Sequence, residues 1–302
     1  MKRITMLRPF VVSVVESIRM AVRTPPSLRI KLRRARHLAI VPIAPSGRTD
    51  RGLMFFITIF FLNPTHIHTF KIDRVILATD THPTYIEFWP IVAKAWKSIG
   101  IQPTLALIAP ADVIIDETLG DVMRFDPIDG IPTSLQAQCI RLLLPALFPN
   151  DFSIISDIDM IPLQRHYFTT STTNCPDDAF VVFKAPVSQR FPMCYNAARG
   201  TTFQDLFNIH TIHDIKQTMI AWNKLGLGWN TDELVLYQYL TQWKFFTTRC
   251  IQLGHDVHPR IDRMFWHYDK QLLKQGYYID AHCLRPYTRY KHEIDQLLHD
   301  MQ

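Results

Sequence analysis

Two acids one residue apart, Asp157 and Asp159, follow the apolar run Phe152-Ser153-Ile154-Ile155-Ser156 and flank Ile158. In an extended segment, alternate side chains share a face, so both carboxylates would project together while Ile158 turns back toward the core. Paired carboxylates at a strand end form a hard-oxygen site suited to Mg²⁺ or Mn²⁺, ions that complete their shell with water and phosphate oxygens. Such an ion would neutralise the charge that builds on a departing diphosphate. An Asp-x-Asp triplet is common in turns and caps. Here the apolar strand before it and Met160-Ile161-Pro162-Leu163 after it give the acids buried surroundings, which favours chemistry over a surface turn.

The elements that must position these acids alternate in type. Arg74-Val75-Ile76-Leu77-Ala78-Thr79-Asp80 is a compact apolar run ending in polar residues, as a buried parallel strand does when its carboxyl end faces a ligand. Thr84 to Ile99 carries Ile86, Trp89, Ala93 and Trp96 at helical spacing, with Gly100 placed to cap it. Thr104 to Ile108 is a second apolar run, and strand, helix, strand is the signature of an α/β sheet. Leu135 to Leu147 reads as a helix interrupted near its end by Pro145 and feeding the Phe152–Ser156 strand. Ala179 to Lys184 and Met193 to Ala197 read as later strands, and Thr231 to Trp243 as a helix with Thr231 as N-cap and Asp232 and Glu233 in its first turn. The region from Gly254 onward, rich in His, Asp, Arg and aromatics, suits a lid or substrate-facing surface.

The 302 residues, 47% apolar and 20% charged, describe a soluble globular chain. Residues 1–51 hold twelve Lys/Arg against Glu16 and Asp50, a balance of +10; the whole-chain +6 minus this +10 leaves −4 on residues 52–302. Attraction to polyanions therefore belongs to the N-terminal arm, and no specific nucleic-acid role is expected of the body. The arm divides the chain into a basic linker, 1–50, and a domain, 51–302, and it could touch a membrane surface. Leu53 to Leu62 is strongly apolar but has ten residues, well short of the roughly 20 of a spanning helix. No cleavable signal is read. The expected location is cytoplasmic or peripheral at a membrane, with the secretory pathway left open. The five cysteines are scattered with no CxxC pair, which points to reduced buried thiols rather than a zinc cluster or disulfide set.

The run Gln138 to Pro149, the strand Phe152 to Ser156, and Asp157-Ile158-Asp159 with Ile161-Pro162-Leu163 together resemble the "R-L-x-x-P-x-L-x-P … strand … D-x-D" segment of GT-A nucleotide-sugar glycosyltransferases, nearest in character to the family 8 type. The likeness spans roughly residues 71–290. It implies an α/β GT-A fold, a Rossmann-like mixed sheet flanked by helices, and a metal-dependent transfer of a hexose from a nucleoside-diphosphate sugar, with UDP as the expected carrier, to an acceptor hydroxyl on a glycan, lipid or protein. By the same resemblance Asp157 would meet the ribose or metal, and Asp159 would ligate Mn²⁺ or Mg²⁺. Arg141 would stand near the donor sugar or its phosphates, Thr79 and Asp80 would end the nucleotide-contacting strand, and Asn196 would lie on the strand after the metal site. His282 would complete the metal shell, although its spacing departs from the family's.

If transfer inverts configuration it needs a general base for the acceptor proton, and Asp232 and Glu233 are the candidates, although acids in a helix's first turn are stabilising in their own right; a retaining transfer would need no such base, and the sequence leaves both open. Trp222, Trp229 and Trp266 could stack on sugars. A sugar nucleotidyltransferase would carry a Gly-rich loop after its first strand, where this chain has Asp80-Thr81-His82-Pro83-Thr84. The non-enzyme alternative is a GT-A-like scaffold that binds without turnover.

Overall fold

The computed structural model describes residues 71–254 and 259–301, all within one compact unit, Ile67–Gln302. The basic arm and the apolar stretch at 53–62 lie outside the described residues. The expected α/β class is present as a seven-stranded mixed sheet flanked by helices.

β1 (Arg74–Asp80), β2 (Gln102–Ile108), β3 (Asp121–Phe125) and β4 (Phe152–Ile155) run parallel in the order β3-β2-β1-β4. β7 (Asn196–Arg199) then pairs antiparallel with both β4 and β6 (Phe180–Val182), and β8 (Cys250–Gln252) closes the edge parallel to β6. Each central strand is apolar along its length because both faces are covered. Val75 and Leu77 enter one core while Ile76 and Ala78 enter the other, and β2 divides Leu105 and Leu107 from Ala106 and Ile108 in the same way.

Three elements depart from the sequence reading. The helix expected over 84–99 is two pieces, Pro83–Ile86 and Trp89–Ser98, because Pro90 cannot continue the first ladder but fits the opening of a new one. The strand expected at 193–197 begins only at Asn196. The helix Thr231–Gln242 includes Thr231 in its first turn, with Asn230 in the cap position, so Thr231 is not the cap.

A second, three-stranded sheet positions the site. β5 (Met160–Pro162) follows β4 after the Asp157–Asp159 turn and pairs antiparallel with β10 (Asp280–His282), which pairs parallel with β9 (Ile261–Asp262). The C-terminal region is therefore more than a lid. Ile261, Ile279, Ala281 and Cys283 are buried in one core, and buried Asp280 accepts from Tyr195 Oη at 2.8 Å and from Arg260 Nε at 2.9 Å, which ties the small sheet to the large one. No helix among the described residues is long and apolar enough to cross a membrane.

Candidate active site

A cavity of about 260 Å³ opens beyond the carboxyl ends of β1 and β4. Strand ends in an α/β sheet leave loops free to carry ligand groups, and the open edge between neighbouring strands receives them. Thr79 and Asp80 reach it from β1, and Asp157 and Asp159 from the turn after β4. Ser134, Ala137, Gln138 and Arg141 reach it from one stripe of the helix Thr133–Leu143, spaced as a single helical face. Asp232 and Glu233 come from the start of the helix Thr231–Gln242, and His282 and Arg285 from the end of β10 and beyond.

Asp157, Ile158 and Asp159 form a turn, closed by the Met160 amide donating to the Asp157 carbonyl at 3.3 Å, rather than an extended strand. Both carboxylates still line one cavity while Ile158 is buried, but they face different partners. Asp157 pairs with Arg141, whose other terminal nitrogen donates to Asp232 Oδ2 at 2.7 Å. Arg141, expected near the donor sugar or its phosphates, lines the cavity with both terminal nitrogens held by carboxylates. Its Nε is buried with no partner among the described residues.

Asp159 is buried and receives Arg263 Nη1 at 2.8 Å and Arg285 Nη1 at 3.3 Å on a single oxygen, with His282 Nε2 3.6 Å from that same oxygen. Burial pushes the Asp159 carboxyl up; His282, Arg285 and Arg263 outweigh it and hold the group below its usual range. The turn is locked from the other side as the Cys283 amide donates to the Asp159 carbonyl at 2.9 Å. His282 Nδ1 lies 3.5 Å from Asp262 Oδ2.

The expected divalent-ion ligands, Asp157, Asp159 and His282, do meet in this cavity, yet among the described residues no three His, Cys, Asp or Glu side chains stand together as a metal cage. The oxygen of Asp159 that faces His282 already carries two guanidinium groups, and Asp157 is paired with Arg141. This donor set does not fit a divalent ion as it stands.

Asp232 is buried, its carboxyl raised by desolvation against the lowering pull of Arg141, and its Oδ1 accepts the Glu233 amide at 2.9 Å. It lines the cavity as a group anchored by Arg141 and the Glu233 amide. Glu233 is half-buried, and burial, then Asp232, raises its carboxyl; Arg190 is 3.6 Å away. Asp80 Oδ1 accepts from the His82 amide and Oδ2 from Thr133 Oγ1, so it knits the end of β1 to the helix Thr133–Leu143 at the cavity edge. Asn196, expected as a donor contact on the strand after the site, opens β7 and is not among the residues that line the cavity. Its amide donates to the carbonyls of Pro192 and Met193, residues that do line the wall.

Trp222 is core, Trp266 packs on a core cluster, and Trp229 is 62% exposed at the cavity mouth. Arg263, Arg285 and Tyr85 were not singled out from the sequence. Arg285 falls in the same short run as His282, and a base that close to a candidate ligand was the available signal; nothing marked Arg263 or Tyr85.

No protein-family model matches this chain, and no curated protein sequence does. Solved structures similar to this chain include two glycosyltransferases. One is the galactosyltransferase LgtC in complex with donor and acceptor sugar analogues, at 11% identity over 76% of this chain and 95% of that one, TM-score 0.45. The other is the glycosyltransferase GlyE of Streptococcus pneumoniae TIGR4, at 11% identity over 76% of this chain and 62% of that one, TM-score 0.44.

Proposed function

We propose that this chain is a nucleotide-sugar glycosyltransferase that moves a hexose from a nucleoside-diphosphate donor, UDP-linked by expectation, to an acceptor hydroxyl. The observation that carries the reading is one cavity at the strand ends with two electrostatic halves. Arg263 and Arg285 crowd one carboxylate, Asp159, on one side, while Asp157, Asp232 and Glu233 outnumber Arg141 on the other. A nucleotide-sugar has the matching asymmetry, an anionic diphosphate at one end and a hydroxyl-rich neutral ring at the other. Carboxylates accept hydrogen bonds from sugar hydroxyls, and guanidinium groups donate to phosphate oxygens.

In this reading Arg141 holds Asp157 and Asp232 in place, and Glu233 faces the sugar end. The bond from the anomeric carbon to the diphosphate oxygen breaks, its electron pair leaving with the nucleotide. The acceptor oxygen forms the new bond, and its proton passes to Glu233. Trp229 offers an aromatic face to the acceptor. A divalent ion would be the competing source of positive charge at the leaving group, and Asp157, Asp159 and His282 would have to leave their present partners to hold it.

The test is release of free nucleotide from a panel of UDP-, GDP- and nucleoside-monophosphate sugars, with wild type beside Asp157→Ala. One carrier hydrolysed or transferred, and lost in the variant, supports the reading. Tight binding of donors without turnover would favour the scaffold alternative, and release of pyrophosphate from a nucleoside triphosphate would favour a nucleotidyltransferase.

A further inference from the structure

We infer that Arg263 and Arg285 form the diphosphate subsite of this chain, so that a nucleoside diphosphate binds without a divalent cation. The inference rests on the nucleotide-sugar reading for its ligand class and goes beyond it by assigning the charge carrier.

The two arginines arrive from different elements, Arg263 just after β9 and Arg285 just after β10, and converge on one oxygen of Asp159. A single buried carboxylate balances one guanidinium. The second guanidinium has to share that carboxylate, so although the cavity lining as a whole is acidic, positive charge is concentrated on this wall, where a phosphate is attracted more strongly than in bulk water. Their side chains keep 29% and 25% of their surface exposed, so N–H groups remain for a ligand, whereas Arg141 keeps 12% and has both terminal nitrogens engaged.

Arg285 is also fixed in orientation. It donates to Tyr85 Oη at 2.6 Å, with its guanidinium carbon 4.9 Å from the Tyr85 ring centroid. A planar fork held in this way loses little freedom on meeting phosphate, which a flexible surface lysine would not match. The place a cation would take between Asp159 and the diphosphate is thus already filled by fixed positive charge belonging to the protein.

Titration calorimetry on the full chain tests this with inorganic pyrophosphate and with uridine diphosphate, each in EDTA and then in Mn²⁺. The wild type is expected to bind both in EDTA, with Kd changing by less than roughly fivefold when Mn²⁺ is added. Arg263→Ala and Arg285→Ala should each weaken binding in EDTA by about tenfold, the loss of one charge-assisted contact. The lysine variants should recover part of that loss. Binding by the wild type only in Mn²⁺, or alanine variants that bind like wild type, overturns the inference. Should the alanine variants fail to fold, the wild-type comparison of EDTA with Mn²⁺ still decides. Turnover of a sugar donor with strict Mn²⁺ dependence would remove the arginine subsite and leave the transferase reading intact. EDTA-insensitive diphosphate binding without any turnover would do the reverse.

Discussion

Asp232 and Glu233 are neighbours in the chain and meet opposite electrostatic fates: Asp232 is buried against Arg141 at 2.7 Å, while Glu233 keeps 29% of its side chain exposed at the cavity wall. Successive helical residues point about 100° apart, so one acid can turn inward while the next faces a ligand. Glu233→Gln is expected to lower kcat by roughly 10²–10⁴-fold with donor KM little changed, the usual contribution of a positioned base. Steady-state kinetics with saturating acceptor checks it, and an unchanged kcat removes Glu233 from the proton path.

The same carboxyl sets a pH limb. Burial raises Glu233 above its ordinary 4.5, and a base works only when deprotonated, so the rate should fall as pH drops through that raised value. The limb should disappear in Glu233→Gln. A wild-type profile that first declines below 4.5 contradicts this.

Arg141 is a structural clamp with two acids in its grip. Removing one partner of a buried pair leaves an uncompensated charge and costs about 3–5 kcal/mol. Arg141→Met strands both Asp157 and Asp232 and should show that loss in urea unfolding, with the m-value unchanged. A variant as stable as wild type would mean that the two carboxylates find other partners or protons.

The positions of β1 and β4 were plain in the sequence because a strand buried on both faces is apolar residue after residue, as in Val75-Ile76-Leu77-Ala78. The chemical character of Asp157 and Asp159 was equally plain. Their partners were not. Arg141, Arg263 and Arg285 lie 16, 104 and more positions away, and only tertiary pairing of β5 with β10 brings the last two close. Strands of two or three residues, such as β9 and β10, are too short to show a period, so the small sheet left no pattern to read. Asn196 does open the strand after the site, but its partners were equally hidden: its amide donates to the backbone of Pro192 and Met193.

Asp159 makes stability depend on acid. Its folded carboxyl titrates below the ordinary 3.8, so its contribution is present above that value and lost as pH falls through the lower, folded one. Removing both arginines raises the folded value and should move the acid unfolding midpoint to higher pH, seen by circular dichroism. An unmoved midpoint would mean that His282 alone holds the carboxylate.

Gly200 sits where the chain leaves β7, and a methyl group there would lie 2.1 Å from the Phe148 carbonyl oxygen, a backbone atom with little room to give. Gly200→Ala should destabilise by about 1–3 kcal/mol through overpacking. Per folded molecule, activity should match wild type, because no cavity residue is touched. Calorimetric Tm together with active-site titration separates the two effects.

The carboxylates that line the cavity all come earlier in the chain than two of its three arginines, Arg263 and Arg285. Asp157 and Asp232 precede Arg263 and Arg285 in order of synthesis, and β10 can pair with β5 only after residue 282 has emerged. Until residues 263 and 285 are made, the lining carboxylates have Arg141 as their one arginine neighbour in the cavity. The electrostatic character of the pocket is reversed on one wall by the last few dozen residues, so a chain truncated before β9 would keep the large sheet's acids and lose the phosphate end of its ligand.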